Sequence, residues 1–307
     1  MTVDFSVVVP VLNEEESVEE LVSQINKAFD KSKKSFEIIF IDDGSTDKTP
    51  DLIKDLQKTN KNISLYSFKK NLGKSPALML GFKKARGRFI VTMDADLQDD
   101  PVNISPLYNE LKRGNFDLVT GWRKNRKDKV LKKISSKLFN KVAVRLLFGS
   151  HLNDLNSGLK IFRAELAHEL NLYGGMHRFI PLIAQELGYR ASEKEAVHHA
   201  RKYGVSKYKF TKIFTDIPDL ITIYFITKYN RRPLHFFGKI GAISFLIGLA
   251  MLLYLSYLHF AGEAIGDRPL LIFGTLFVIA GIQTIFTGLI ADLIVNLKSQ
   301  ENDFPIK

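Results

Sequence analysis

Two runs late in this chain carry no charge: residues 240–258 (IGAISFLIGLAMLLYLSYL) and 270–291 (LLIFGTLFVIAGIQTIFTGLIA). A helix needs about 20 apolar residues to cross a hydrocarbon layer roughly 30 Å thick, and each run has that length. Buried core helices are the alternative, but two such runs in one tail, joined only by HFAGEAIGDRP, disfavour it. The short joint predicts a helical hairpin, with helices over about residues 238–260 and 269–292 and both flanks on one side. Arg231, Arg232 and Lys239 precede the first helix and Lys298 follows the second, whereas the joint sets Arg268 against Glu263 and Asp267. The positive-inside rule then puts both termini in the cytoplasm. The start, MTVDFSVVVP, has no basic region followed by a long apolar stretch, so it is not read as a signal peptide. Residues 1–230 are expected to be cytoplasmic, at the cell (inner) membrane.

Composition narrows what those residues do. An apolar share of 45% excludes disorder as the main state, and zero cysteines exclude a disulfide scaffold, thiolate catalysis and Cys-ligated zinc. The net charge is +11, and from Arg231 onward six basic residues nearly cancel five acidic ones, so the first 230 residues hold about +10. Such a surplus points to an anionic partner: nucleic acid, a phosphorylated ligand or an acidic lipid surface.

Short β-rich runs at residues 5–10, 36–41, 63–68, 88–93 and 116–120 alternate with helix-patterned stretches at 14–29, 48–58, 75–85 and 102–113. This alternation predicts a parallel, doubly wound sheet, whose ligands bind beyond the carboxyl ends of the strands. The first strand ends in Pro10-Val11-Leu12-Asn13-Glu14-Glu15-Glu16, where a dinucleotide-binding enzyme would carry GxGxxG; a row of carboxylates repels a pyrophosphate, and no Walker A motif occurs either. The second ends in Asp42-Asp43-Gly44-Ser45-Thr46-Asp47. A turn with a helix cap accounts for Gly44-Ser45; the two adjacent acids suit hydrogen bonds from a base or ribose. The fourth ends in Met93-Asp94-Ala95-Asp96-Leu97-Gln98, with carboxylates at i and i+2 that converge when a turn follows. Oxygen-only ligands favour Mg²⁺ or Mn²⁺ bridging to phosphate oxygens, with Gln98 adding a neutral oxygen; the bland alternative is a solvated acidic turn before Pro101.

Asn13-Glu14, Asp42-Asp43-Gly44-Ser45, Asn71-Leu72-Gly73-Lys74 with Gly81, and Asp94-Ala95-Asp96 together resemble the inverting family 2 glycosyltransferases, from about residue 3 to 208. Within that family the likeness is to the polyprenyl-phosphate glycosyltransferases of the dolichol-phosphate mannose synthase type. It rests on Asp94-Ala95-Asp96-Leu97-Gln98, Asp154-Leu155-Asn156-Ser157-Gly158, Arg201-Lys202-Tyr203-Gly204-Val205-Ser206-Lys207-Tyr208 and the two-helix C-terminal anchor. The resemblance implies an α/β, GT-A doubly wound mixed sheet over residues 1–208, juxtamembrane interfacial helices over 209–235, transmembrane helices within 236–298 and a cytoplasmic tail, 299–307.

It also implies roles. Pro10, Asn13, Glu14, Asp42, Asp43, Lys74 and Asp94 would bind the donor nucleotide; Asp94, Asp96 and Gln98 would hold Mg²⁺ or Mn²⁺ on its diphosphate, where a cation stabilises the departing charge. Asp96, Asp154 and Arg201 would form the catalytic set, Asp154 orienting cations or the acceptor. Arg123, Lys132 or Lys133, and Ser136 would receive the acceptor's phosphate, although the family often has Arg where this chain has Lys, which offers a point charge in place of a fork. Arg201, Ser206 and Lys207 lie on a segment that in this group closes over the site; a basic juxtamembrane loop is the plain alternative. His198 and His199 have no other soft ligands in sequence and are read as structural.

Residues 128–149 (DKVLKKISSKLFNKVAVRLLFG) place Lys129, Lys133, Lys137, Lys141 and Arg145 four apart on one helix face, with Leu131, Ile134, Leu138, Val142 and Leu146 on the apolar side. The apolar side lacks a row of exposed stacking aromatics, so an interfacial helix on anionic lipid fits better than a nucleic-acid binder; an ordinary amphipathic surface helix is the alternative. The expected reaction is inverting hexosyl transfer from a UDP- or GDP-linked sugar to an undecaprenyl or dolichyl phosphate. Rivals are a polysaccharide synthase (excluded by the missing QxxRW, since the single Trp is Trp122), a transferase to hydroxyls and a non-catalytic nucleotide-sugar binder. Gly238, Gly241, Gly248, Gly274, Gly281 and Gly288 permit close helix packing within the hairpin or between copies in a homo-oligomer.

Overall fold

The computed structural model describes residues 3–124 except 31 and 33, then 145–203, 212–229 and 232–299; for 146, 147, 212–217, 219, 220, 298 and 299 it describes the backbone only. Most of the basic helix expected at 128–149, and the expected acceptor contacts Lys132, Lys133, Ser136, Ser206 and Lys207, lie outside the described residues. The chain forms two compact units, Met1–Leu220 and Ile221–Lys307.

In the first unit the elements run β1 (Phe5–Val11), α1 (Val18–Asp30), β2 (Phe36–Asp42), α2 (Thr49–Thr59), β3 (Ile63–Ser67), α3 (Lys74–Lys84), β4 (Phe89–Thr92), a 3₁₀ turn (Pro101–Asn103), α4 (Ile104–Arg113) and β5 (Leu118–Trp122). There follow α5 (Arg145–Phe148), β6 (Lys160–Arg163), α6 (Ala164–Glu169), a 3₁₀ turn (Met176–Phe179), α7 (Ile180–Glu186) and β7 (Ala191–Glu195), and α8 (Lys212–Tyr229) runs across the division between the units. The strands form one sheet in the order β3-β2-β1-β4-β6-β5-β7.

The alternating strands are parallel from β3 to β4, as the pattern predicts. The sheet as a whole is mixed: β6 inserts between β4 and β5 and runs antiparallel to both. β6 and β7 are short strands that the strand–helix alternation does not announce. Core strands are buried on both faces, which is why Val7, Val8 and Val9 and Ile38, Ile39, Phe40 and Ile41 read as continuous apolar runs. α1 covers the sheet with Val18, Leu21, Val22, Ile25 and Phe29, a helical stripe, and carries Glu19 and Glu20 in its first turn, where the helix dipole favours acids. It starts four residues later than the periodicity suggests. Asn13 takes a left-handed φ of 52°, and the Ser17 hydroxyl bonds the Glu14 carboxylate at 3.1 Å, so residues 14–17 turn before the helix begins.

In the second unit α9 (Pro233–Phe260) and α10 (Pro269–Ser299) pack against each other and are long and apolar enough to cross a membrane, with a mean hydropathy of 2.0 and 2.1, respectively, over an 18-residue window of each. A Cβ on Gly248 would sit 2.6 Å from the Gly274 carbonyl oxygen, and one on Gly281 2.6 Å from the Phe245 nitrogen. These glycines therefore serve packing inside the hairpin, bringing the two backbones together. The Ser244 hydroxyl adds a 2.9 Å bond to the Phe277 carbonyl. The outer faces carry exposed Ile243, Leu253, Phe286 and Leu293.

Candidate active site

The carboxyl ends of β1, β2 and β4 hold the sequence-predicted acids, and hydrogen bonds knit their loops together. Asn13 accepts from the Thr46 N–H at 2.8 Å through its side-chain oxygen and donates its own N–H to the Ser45 hydroxyl oxygen at 2.9 Å. The Glu14 N–H donates to Thr49 Oγ1 at 2.8 Å. Buried Asp42 accepts from the Ser45 N–H at 2.9 Å, and buried Asp43 accepts from the Leu72 N–H at 2.7 Å and the Gly73 N–H at 2.9 Å. Asp43 thereby anchors the turn leading into α3, whose first residue is Lys74. A cation at the positive end of a helix is unfavourable by itself. Here it faces a carboxylate: Lys74 Nζ donates to Asp94 Oδ1.

Asp94 and Asp96 follow β4 in a turn that places Leu97 at a left-handed φ of 57°. Arg201 donates to Asp96 Oδ2 at 2.5 Å. The segment delivering Arg201 is zipped to the same turn: the His199 N–H bonds the Gln98 carbonyl at 2.8 Å, the His199 ring bonds Asp100 at 2.9 Å, and the Val197 N–H and carbonyl bond the Asn103 side chain, each at 2.9 Å. Gln98 Nε2 reaches the His199 carbonyl at 3.4 Å. His199 thus ties loops together.

On the other side, Arg123, just past β5, grips Asp154 with two parallel bonds of 2.7 and 2.9 Å. Both side chains are buried, at 10% and 7% exposure, so the pair is rigid. Glu193 of β7 supports that loop by accepting from the Asn153 and Asp154 N–H groups. Gly158 lets the loop reach Asp94: a Cβ there would lie 2.7 Å from the Asp94 carboxyl carbon and 2.8 Å from Asp99 Oδ2.

Three groups here have no signal in the sequence pattern. Asp99 is buried, and its Oδ1 has no hydrogen-bond partner. Burial first, then the Asp94 charge, pushes its carboxyl up to about 6. Lys160 of β6 is 3% exposed. Burial, then the Lys74 and Arg123 charges, brings its amine down to about 7. His177 bonds the Ser75 hydroxyl at 3.0 Å, and burial, then Lys74, lowers its ring to about 3. Among the predicted acids, burial and the Asp94 charge raise Asp96 despite Arg201; burial would raise Asp94 too, but Lys74, Lys160 and Arg123 outweigh it and hold it low.

The acids suit a divalent cation. Asp94 and Asp96 offer hard oxygens, each already attracting one cation, and buried Asp99 keeps an unpartnered oxygen beside them. Among the described residues no three metal-binding side chains form a complete cage.

A profile of the family "Glycosyl transferase family 2" matches residues 6–170. The dodecaprenyl-phosphate galacturonate synthase of Rhizobium johnstonii is 38% identical over 99% of this chain and 91% of its own length. The undecaprenyl-phosphate 4-deoxy-4-formamido-L-arabinose transferase of Aeromonas hydrophila is 33% identical over 94% of this chain and 87% of its own. The glucosyl-3-phosphoglycerate synthase of Mycobacterium tuberculosis, solved with Mn²⁺ and UDP-glucose, shares the fold at a TM-score of 0.55 and 22% identity, over 73% of this chain and 78% of that one. S. aureus TarS 1-349, solved with UDP-GlcNAc, does so at 0.53 and 21%, over 73% and 66%. With a profile spanning over half of its residues and a relative aligned along nearly its whole length, this chain belongs to glycosyltransferase family 2 and carries a mixed seven-stranded GT-A-like sheet followed by two long apolar helices.

Proposed function

We propose that the protein moves a sugar from a nucleotide diphosphate to a polyprenyl phosphate, with inversion at the anomeric carbon, at the cytoplasmic face of the cell membrane. The observation carrying this reading is the Asp94–Asp96 pair at the end of β4, each acid already matched to a cation, in a chain that also holds two helices fit to cross a bilayer. The names of the two long-aligned relatives support the acceptor class.

Asp94 and Asp96, with Gln98 beside them, would hold Mg²⁺ or Mn²⁺, which when bound neutralises the charge growing on the departing diphosphate. Lys74 and Arg201, on the same two acids, lie where they can turn to donor phosphate oxygens, and Pro10, Asn13, Glu14, Asp42 and Asp43 shape the nucleoside end. The nucleophile is an acceptor phosphate oxygen, largely ionised at neutral pH because its second pKa is about 6. No strong base is required, and Asp154 is committed to Arg123 in any case. Asp154 therefore positions Arg123 for the acceptor phosphate, with Lys132, Lys133, Ser136, Ser206 and Lys207 as further contacts. The protein's work is alignment of two anionic substrates and relief of their repulsion.

Purified full-length protein in detergent, given radiolabelled nucleotide sugars, Mn²⁺ and polyprenyl phosphate, is expected to move label into the organic phase. Label that stays in water with every donor overturns the reading, and undiminished transfer by Asp96→Ala overturns the metal assignment.

A further inference from the structure

The site's cations are nearly all matched. Lys74 has Asp94, Arg201 has Asp96, and Arg123 has Asp154. Lys160 is the exception among these four. It is buried to 3% exposure, and its one hydrogen bond among the described residues goes to a neutral group, the Ser157 carbonyl. Asp94 and Asp154 are the nearby acids that favour its charge, and both are already engaged. A buried amine without an anionic partner is costly, and proteins keep such groups where a ligand completes them.

Lys160 lines a small cavity of about 10 Å³ together with Lys74, Asp94, Ser157, Gly158 and His177. That space admits roughly one oxygen atom. Asp94, assigned to the donor diphosphate, is part of its lining, so the sugar attached to that diphosphate would lie next to this cavity. Two lysines line the cavity, and its single carboxylate, that of Asp94, accepts from Lys74. A hydroxymethyl group placed here leaves Lys160 without a countercharge. A carboxylate that puts one of its oxygens there supplies one, with charge-assisted bonds.

We propose that Lys160, with Lys74 in the lining of the same cavity, reads a carboxylate on the donor sugar, so that the sugar transferred is a uronic acid. This rests on the transferase reading above. It selects one chemistry from the two that long-aligned relatives carry in their names, galacturonate and a neutral formamido-arabinose. A site built around a polar partner rejects analogues lacking it far more strongly than an apolar pocket rejects a missing methylene.

The test uses the full-length protein in detergent with polyprenyl phosphate and Mn²⁺. UDP-galacturonate, UDP-galactose and a nucleotide-linked 4-formamido-arabinose are compared by kcat/KM, and their binding is compared by calorimetry. The wild type is expected to prefer the uronate at least 100-fold. Lys160→Met is expected to shrink that preference to within tenfold, mainly through KM and Kd for the uronate, and Lys160→Arg to restore part of it. Wild-type preference for either neutral donor overturns the proposal without touching the transferase reading, and it needs no variant. An unchanged preference in a Lys160→Met protein that melts as a folded one overturns the role of Lys160. Transfer from no donor at all overturns the transferase reading, and this inference with it.

Discussion

The two ends of the one sheet treat buried charge in opposite ways. At the amino end, Glu37 of β2 is buried and saturated: it accepts from the Ser6 hydroxyl at 2.6 Å, the Arg86 N–H at 2.8 Å and the Arg86 guanidinium at 2.6 and 2.9 Å. At the carboxyl end, Asp99 keeps an oxygen with no partner and Lys160 has only a carbonyl. A buried charge whose bonds are all supplied by its own chain has its desolvation offset within the fold; one left partly unsatisfied carries a cost that a ligand, ion or water can relieve. The Arg123–Asp154 pair stands between these cases, matched like Glu37 yet placed at the working end.

Four substitutions break or sharpen this contrast. Asp154→Ala strands a buried guanidinium and is expected to destabilise the protein by about 3–5 kcal/mol, read by urea unfolding in detergent. A loss below 1 kcal/mol would show that Arg123 finds other partners. Asp96→Ala is expected to slow transfer by about 10²–10³-fold, roughly 2.7–4 kcal/mol in the barrier, with a melting temperature close to wild type. Glu37→Ala should do the reverse, lowering stability by about 1–3 kcal/mol while donor KM stays fixed. Asp99→Asn has the smallest effect and the opposite sign, a gain of about 1–2 kcal/mol for metal-free protein at pH 8.

The pH dependence separates the two ends further. Burial raises Glu37, but the Arg86 and Ser6 bonds outweigh it, so its folded carboxyl lies below the usual 4.5. Its stabilisation is present above that value and is lost as pH falls below it. Asp99 is raised from 3.8 to about 6, so its ionised form destabilises the fold above that pH, and the penalty fades as pH falls from about 6 to 3.8. Melting temperatures of Asp99→Asn and wild type, well apart at pH 8, should therefore converge near pH 4, whereas the deficit of Glu37→Ala should shrink only below about pH 4.5. Parallel curves for Asp99→Asn across that range would mean that its carboxyl is not held up in the fold.

Much of the site lies open in the chain's order. Asp42-Asp43 and Asp94-Ala95-Asp96 sit directly after apolar runs, and a strand end is where a parallel sheet exposes its side chains. Lys74 can be found through the Asn71-Leu72-Gly73-Lys74 turn. Lys160 cannot, because in GLKIF it looks like the polar step of any short strand. Asp99 looks like the third acid of a solvated turn, and Glu37 like an outward residue at the start of β2. The insertion of β6 is equally hidden: four residues carry no mark of direction, and only pairing with β4 and β5 fixes it as antiparallel.

The sequence alone determined the alternating strands and helices as far as β5 and the pair of long apolar helices, because periodicity, strand-end acids and the absence of charge over about 20 residues are local properties that act before any distant contact forms. The tertiary structure decided which charges are paired. Asp96 meets Arg201 across 105 positions and Asp94 meets Lys74 across 20, while Asp43 takes the backbone of a turn about 30 residues away. Whether a buried charge is satisfied depends on neighbours that chain order does not reveal, and for Asp99 and Lys160 those neighbours fall short.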